Sequence, residues 1–165
     1  MTCSRSGRGR ARPPSGCGRR VRRLTALEID DEAAGKLADR YAGGNVEIVV
    51  GNAAELSYPD RSFDSVGCFT MLHRVPTLAA QNAILAEALR VLRPGGVLIG
   101  SDSLASDELY HFHSGDTYNP IEPAWLLGRL QTLGFDKITV MMDGILKFVA
   151  RKPAGSSDCG AEAAA

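Results

Sequence analysis

The chain has 165 residues, 44% of them hydrophobic, and carries nineteen basic and nineteen acidic side chains. That length fits a single domain with its own core, and no apolar run approaches the roughly 20 residues that cross a bilayer, so a membrane-spanning class is excluded. The charge is divided unevenly, because residues 1–23 hold eight arginines and no acid while the remainder has a net charge of −8. We therefore predict a basic, disordered arm over 1–23 and an acidic folded body. Nucleic acid is not an expected partner, since only the arm could bind it, through phosphate charge alone.

Strand and helix patterns alternate along the first half of the body. Short apolar runs at 24–29, 46–50 and 63–69 predict three strands. Between the first two, Asp30 and the acids after it suit a helix N-terminus, and apolar residues at helical spacing over 33–41 continue that helix.

The second half continues the alternation and ends in a hairpin. The predicted elements are a helix over 79–93 ended by "RPGG", a strand over 97–102, a polar loop, a helix through Leu126–Leu133, and a hairpin over 137–152 that turns at Asp143-Gly144. The tail over 153–165 is predicted to be disordered. Strands separated by helices imply parallel pairing, so the sequence predicts an open, mostly parallel, Rossmann-like α/β sheet over 24–152 with an antiparallel strand at its C-terminal hairpin.

The cysteines and histidines give no sign of a metal site. The four cysteines are scattered without a CxxC pair, so we expect neither a disulfide framework nor zinc, and a reducing cytoplasm is the expected location. His111 and His113 stand two residues apart in a polar loop, where two such histidines are more often solvated than bound to a metal.

Two polar residues follow neighbouring strands, at the edge where open α/β sheets bind ligands. Glu28 ends the first recognisable strand, where a carboxylate can accept hydrogen bonds from both hydroxyls of a ribose. Asn52 follows the next strand, and its amide can both donate to and accept from an adenine edge. The alternative interpretation is that Glu28 only favours a helix N-terminus and Asn52 only a turn.

At this point the sequence resembles a known family. The segments "LTALEIDDEA", "VEIVVGNAAELSYPDRSFDSV", "FTMLHRVP" and "EALRVLRPGGVLIGSDS" look like successive motifs of class I S-adenosylmethionine-dependent methyltransferases of the small-molecule type. The resemblance covers roughly residues 24–152. It implies a seven-stranded sheet whose last strand is antiparallel, S-adenosylmethionine as cofactor, and methyl transfer to a small-molecule acceptor.

The resemblance also implies which residues meet the cofactor. Glu28 would hold the ribose, Ile29 beside it would be a further cofactor contact, and Asn52 and Ala53 would meet the adenine, although many relatives carry Asp in place of Asn52. At the end of the 63–69 strand, Phe69 and Thr70 would lie near the methionine moiety and the methyl group.

The family's glycine-rich cofactor loop has no clear counterpart. The region that should contain it reads "GRGRARPPSGCGRR", and neither Gly7-x-Gly9 nor Gly16-x-Gly18 follows an apolar strand, so both are rejected as that motif. We therefore expect the domain to lack its N-terminal strand and cofactor loop, through truncation or a misread frame, with impaired cofactor binding. The alternative is a genuine basic arm.

The sequence offers candidate contacts for the methyl acceptor but identifies no catalytic residue. His73 could orient a substrate or take its proton, and Tyr110 and His111 lie in a loop expected to cover the acceptor. Alignment of donor and nucleophile can supply most of the acceleration, so no general base is required. Two other functions stay open, a nicotinamide-dependent oxidoreductase and a non-catalytic binding module with a nucleic-acid-facing arm.

Overall fold

The computed structural model describes residues 2–5, as backbone only, and residues 22–155. Within these ranges there are seven strands, four α-helices and a short 3-10 turn at Leu72–Arg74. The strands are β1 (Thr2–Arg5), β2 (Leu24–Glu28), β3 (Val46–Val50), β4 (Phe63–Phe69), β5 (Leu92–Asp102), β6 (Asp136–Asp143) and β7 (Ile145–Arg151). The helices are α1 (Asp31–Tyr41), α2 (Leu78–Val91), α3 (Asp107–Phe112) and α4 (Pro123–Leu133). No helix in the described ranges is long and apolar enough to cross a membrane.

The strands form one sheet in the order β3-β2-β1-β4-β5-β7-β6. The pairs from β3 to β5 are parallel, and β7 runs antiparallel to both β5 and β6. This confirms the predicted open α/β sheet with an antiparallel terminal hairpin. The hairpin turns at Gly144, which takes a φ of 66° between the paired residues Asp143 and Ile145.

The structure differs from the sequence prediction at the first strand. Residues 2–5 form β1 in the middle of the sheet, where Thr2 lies in register with Thr25 on β2 and Val66 on β4. The expectation that this strand is missing, and that the whole of 1–23 is an arm outside the domain, is therefore corrected here. The strand is short and polar in sequence, so it carries no apolar pattern, and its ladder bonds come from two neighbours far along the chain.

That correction removes the reason for rejecting the first glycine pair. Gly7-x-Gly9 was set aside because no strand precedes it, whereas β1 ends two residues before Gly7. Residues 6–21, which hold both glycine pairs and most of the predicted arm, lie outside the described residues, as does most of the predicted tail.

Capping residues place the helices against the sheet. Asp30 accepts a hydrogen bond from Ala33 N at 2.8 Å at the start of α1, and Thr77 caps α2 through Ala80 N at 3.1 Å. The main core lies between the sheet and helices α2 and α4, and its fully buried members include Leu85, Leu92, Leu98, Leu126, Leu130, Leu146 and Phe148.

Two local elements differ from the predicted ones. The strand expected at 97–102 begins at Leu92, and residues 93–96 interrupt its pairing with β4 between Phe63 and Ser65. The polar loop after β5 contains a helix, α3, that was not predicted, with Ser106 accepting a hydrogen bond from Leu109 N at its start.

Candidate functional site

Glu28 and Asn52 emerge at the same edge of the sheet. Glu28 ends β2 in register with Val50, the last residue of β3, and the N–H of Gly51 donates to the Glu28 carbonyl at 2.9 Å. Asn52 is the next residue. The two side chains expected to contact one nucleoside therefore start from adjacent strand ends.

The Glu28 carboxylate is held by the chain that follows it. Its Oε1 accepts hydrogen bonds from the N–H groups of Ile29 at 2.8 Å and Asp30 at 3.2 Å, at the entrance to α1. The residue is only 3% exposed. A buried carboxylate fixed in this way is preorganised to accept further hydrogen bonds at the sheet edge.

A cavity of about 310 Å³ opens beside these strand ends. Its lining is mostly apolar and consists of Leu27, Ile29, Gly51, Asn52, Ala53, Ala54, Met71, Arg74, Val75, Pro76, Ala80 and Ile84. Ile29 is 57% exposed although it is large and apolar. The volume lies at the lower end for small-ligand pockets, and Asn52 and Arg74 are the polar side chains of an otherwise apolar lining.

The loop after β3 is held by hydrogen bonds from charged side chains of α2. Asn52 Oδ1 accepts from Ala54 N at 2.9 Å, which folds the start of the loop back on itself. Further along, Glu87 accepts from Leu56 N at 2.7 Å, and Arg90 donates to the Leu56 carbonyl at 2.9 Å. The Arg90 guanidinium bonded to Glu87 holds the pKa of that carboxyl below its usual range, so the loop is anchored by charged groups.

The end of β4 carries a strained residue. Thr70 has a φ of 53°, in the left-handed region that β-branched residues rarely adopt, and its N–H donates to the Ser101 carbonyl at 2.8 Å. Such strain costs about 1–3 kcal/mol and is concentrated at functional sites. Phe69, just before it, is partly buried, and neither residue lines the cavity beside β2 and β3.

Next to Thr70, His73 forms a buried pair with Asp102. Asp102 ends β5 and accepts from the N–H groups of Leu72 at 3.0 Å, His73 at 3.3 Å and Ser103 at 2.8 Å, while His73 Nδ1 contacts Asp102 Oδ1. Sequence reasoning missed Asp102, although an acid at a strand end is the same signal that identified Glu28. The carboxylate fixes the ring orientation of His73.

Aromatic rings surround His73. Its ring lies 5.2 Å from that of His113 and 5.7 Å from that of Tyr118 between centroids, and those two rings stack on each other at 4.8 Å. Tyr110 meets Tyr118 edge-on at 4.8 Å. Burial lowers the pKa of His113, and the nearby Arg74 guanidinium lowers it further.

Of the three acceptor-side candidates, the structure brings two into this aromatic cluster. His73 and Tyr110 both contact Tyr118, whereas His111 is exposed and its Nδ1 lies 2.7 Å from the Asp107 carbonyl within α3. His113 takes the place expected of His111, because α3 turns the neighbouring histidine outwards. Among the described residues, no three metal-ligating side chains lie together.

Comparisons with known proteins identify the family of the chain. A family model described as a methyltransferase domain matches residues 5–100, a range that includes Gly7 and Gly9. A probable S-adenosylmethionine-dependent methyltransferase of Mycolicibacterium smegmatis is 35% identical over 123 residues, covering 70% of this chain and 44% of that protein. A ubiquinone/menaquinone biosynthesis C-methyltransferase of Methylobacterium nodulans is 42% identical over 77 residues, covering 44% of this chain and 29% of that protein.

A solved structure shows the same fold. The S-adenosylmethionine-dependent methyltransferase from Methanosarcina mazei superposes with a TM-score of 0.70 at 23% identity, covering 92% of both chains. The chain spans less than half the length of the two sequence relatives named above. Because the family model matches more than half of the sequence, the chain belongs to the methyltransferase-domain family, as a member of the class I S-adenosylmethionine-dependent methyltransferases.

Proposed function

We propose that the protein transfers a methyl group from S-adenosylmethionine to a small-molecule acceptor. The observation that carries this proposal is the buried Glu28 carboxylate, whose chain neighbours Leu27 and Ile29 line a mostly apolar cavity that Asn52 also lines. Family membership supports the activity. Nothing in the comparisons favours the nicotinamide-dependent alternative.

The adenosine half of the cofactor would be held at the ends of β2 and β3. Glu28 accepts hydrogen bonds from the ribose hydroxyls, because its carboxylate is already oriented by two N–H groups of its own segment. Ile29 packs against the adenine ring, and Asn52 and Ala53 face its edge. We assign Gly7-x-Gly9 to the cofactor loop, since the pair follows β1 and falls within the family match.

The methionine end of the cofactor, which carries the methyl group, would lie at the carboxyl ends of β4 and β5. When bound, the cofactor supplies an electrophilic methyl group on a sulfonium. The chain contributes alignment and shelter from water, with Phe69 and Thr70 beside the methionine moiety. The strain at Thr70 is consistent with a backbone shaped by that task.

The acceptor would meet the aromatic cluster around His73. A His73 ring oriented by Asp102 can take a proton from an acceptor hydroxyl, and Tyr110 offers an exposed ring for an aromatic acceptor. The relative from Methylobacterium nodulans acts in quinone biosynthesis by its name, which supports a flat aromatic acceptor. His111 stays a predicted contact, and a cytoplasmic location is part of the proposal.

A thermal-shift comparison tests the cofactor class. S-adenosylmethionine or S-adenosylhomocysteine at a hundred times its Kd should stabilise the native state by about 2.7 kcal/mol, which raises Tm by roughly 5–10 °C for a chain of this size. A shift with NADH alone would support the oxidoreductase alternative, and a shift with duplex DNA alone would support a binding module. Transfer itself is measured with methyl-labelled cofactor and an aromatic hydroquinone.

A further inference from the structure

Arg74 lies between the cavity beside β2 and β3 and the loop that follows α3. Of the described residues that line this cavity, Arg74 alone carries a charge, and only 17% of its side chain is exposed. Its Nη2 donates to Asp116 Oδ2 at 2.7 Å. One guanidinium therefore borders the cavity and binds a carboxylate of the loop on the acceptor side.

The Asp116 carboxylate is oriented by its own segment of chain. Its Oδ1 accepts from Thr117 N at 2.7 Å, and the N–H of Asp116 donates to the His113 carbonyl at 2.8 Å. The Thr117 N–H and the Arg74 guanidinium hold the pKa of Asp116 below its usual range, so the carboxylate is charged at neutral pH. The ion pair therefore joins two groups that are both charged and both fixed in direction.

Hydrogen bonds beside the ion pair join the same two segments of chain. The N–H of Asn119 donates to the His73 carbonyl at 2.6 Å, and Asn119 Nδ2 donates to the carbonyl of Val75, a lining residue of the cavity, at 3.0 Å. Gln81 on α2, which is 1% exposed, donates from Nε2 to the Asn119 carbonyl at 2.9 Å. The loop over 113–119 therefore packs directly against the segment that lines the cavity.

We propose that Asp116 is a positioning residue of the cofactor site and acts through Arg74. The inference rests on the proposed function, because it takes the cavity to hold the adenosine half of S-adenosylmethionine. A ligand that fills the cavity removes water from Arg74, and burying an unpaired charge costs more free energy than burying a charge that is paired with a carboxylate. The cofactor therefore binds more tightly when Asp116 is in place, and by reciprocity the bound cofactor stabilises the loop over 113–119 in its position against Arg74.

Calorimetry with S-adenosylhomocysteine tests whether Asp116 affects a cavity that it does not line. Asp116→Asn keeps the shape of the side chain and removes its charge, and it should raise the Kd about three- to ten-fold, a modest coupling because the carboxylate is partly exposed. In an Arg74→Met background the same substitution should leave the Kd unchanged, since the charge through which Asp116 acts is gone. Glu108→Gln is the matched control, because it removes an exposed acid from α3, just before the same loop, and should leave the Kd of the wild-type background unchanged.

Amide hydrogen exchange gives a second readout, which a purely structural role of Asp116 would not produce. S-adenosylhomocysteine should slow exchange over 113–119 several-fold in the wild type and in Glu108→Gln, and should leave it unchanged in Asp116→Asn. If circular dichroism shows that Arg74→Met does not fold, the Kd of Asp116→Asn and the exchange data decide the question.

Three results overturn the inference. An equal Kd for the wild type and Asp116→Asn does so while leaving the proposed function intact. An undiminished effect of Asp116→Asn in the Arg74→Met background does so as well, because Asp116 would then act by another route. A wild-type chain that does not bind S-adenosylhomocysteine refutes the proposed function together with the inference.

Discussion

Replacing Glu28 with Gln removes one charge and leaves the shape of the side chain. The amide oxygen can still accept the hydrogen bonds that Oε1 receives from Ile29 N at 2.8 Å and Asp30 N at 3.2 Å. The second oxygen becomes an NH₂ group, which cannot accept a hydrogen bond from a ribose hydroxyl. The fold should therefore persist while the cofactor loses a charged acceptor.

The expected loss follows from the strength of one charge-assisted hydrogen bond. Such a bond contributes about 1.5–3 kcal/mol, so Glu28→Gln should weaken binding of S-adenosylhomocysteine roughly ten- to hundred-fold. Isothermal titration calorimetry measures the Kd directly. Glu32→Gln is the matched control, because Glu32 is an exposed acid four residues along the chain and pairs with Lys36 across one turn of α1. Equal affinity for the wild type and Glu28→Gln would refute the assigned role of Glu28.

Three further changes test other parts of the account. Asn52→Asp should tighten S-adenosylhomocysteine binding several-fold by calorimetry, because the carboxylate is a stronger acceptor for the adenine amino group; weaker binding would contradict the adenine assignment. Gly100→Ala would place a Cβ 2.0 Å from a buried aromatic ring and should destabilise the fold by about 1–3 kcal/mol or prevent folding, whereas Gly35→Ala, with open space around it inside α1, should raise Tm slightly. Since the pKa of His113 lies below its ordinary value of 6.5, its contribution to stability is complete above pH 6.5 and is lost as the pH falls below 6.5. His113→Asn should therefore flatten the fall in Tm below pH 6.5, and an unchanged fall would contradict this role.

The position of Glu28 and Asn52 at one edge of the sheet could be predicted, because the carboxyl ends of parallel strands lie on the same side. Once the runs at 24–29 and 46–50 are strands joined by a helix, their carboxyl ends must meet at one edge, and Glu28 and Asn52 follow from their positions. The hairpin at Asp143-Gly144 is equally local, since the dipeptide itself favours the turn. Periodicity and turn chemistry suffice for both features.

Strand β1 could not be predicted from local sequence patterns in the same way. Residues 2–5 are polar and few, and β1 exists because β2 and β4 offer it backbone partners on both sides. No window of sequence contains that information, because the partners are more than twenty residues away. The same limit explains the rejection of Gly7-x-Gly9, which was judged by the local pattern alone.

The residues on the acceptor side were harder to predict, because their positions depend on the conformation of the loop after β5. The sequence "YHFH" offers two histidines, and only the short helix α3 decides that His113 faces His73 while His111 faces solvent. Its formation depends on Ser106 as a cap and two acids in its first turn, a signal present in the sequence. Asp102 likewise stands at a strand end, where a systematic search for strand-end acids would have found it.

A crystal structure of the chain with S-adenosylhomocysteine would show where the cofactor binds. We expect adenine in the cavity lined by Ile29, Asn52 and Ala53, with both ribose hydroxyls within hydrogen-bond distance of the Glu28 carboxylate. Adenine bound elsewhere, or a ribose that does not touch Glu28, would contradict this expectation.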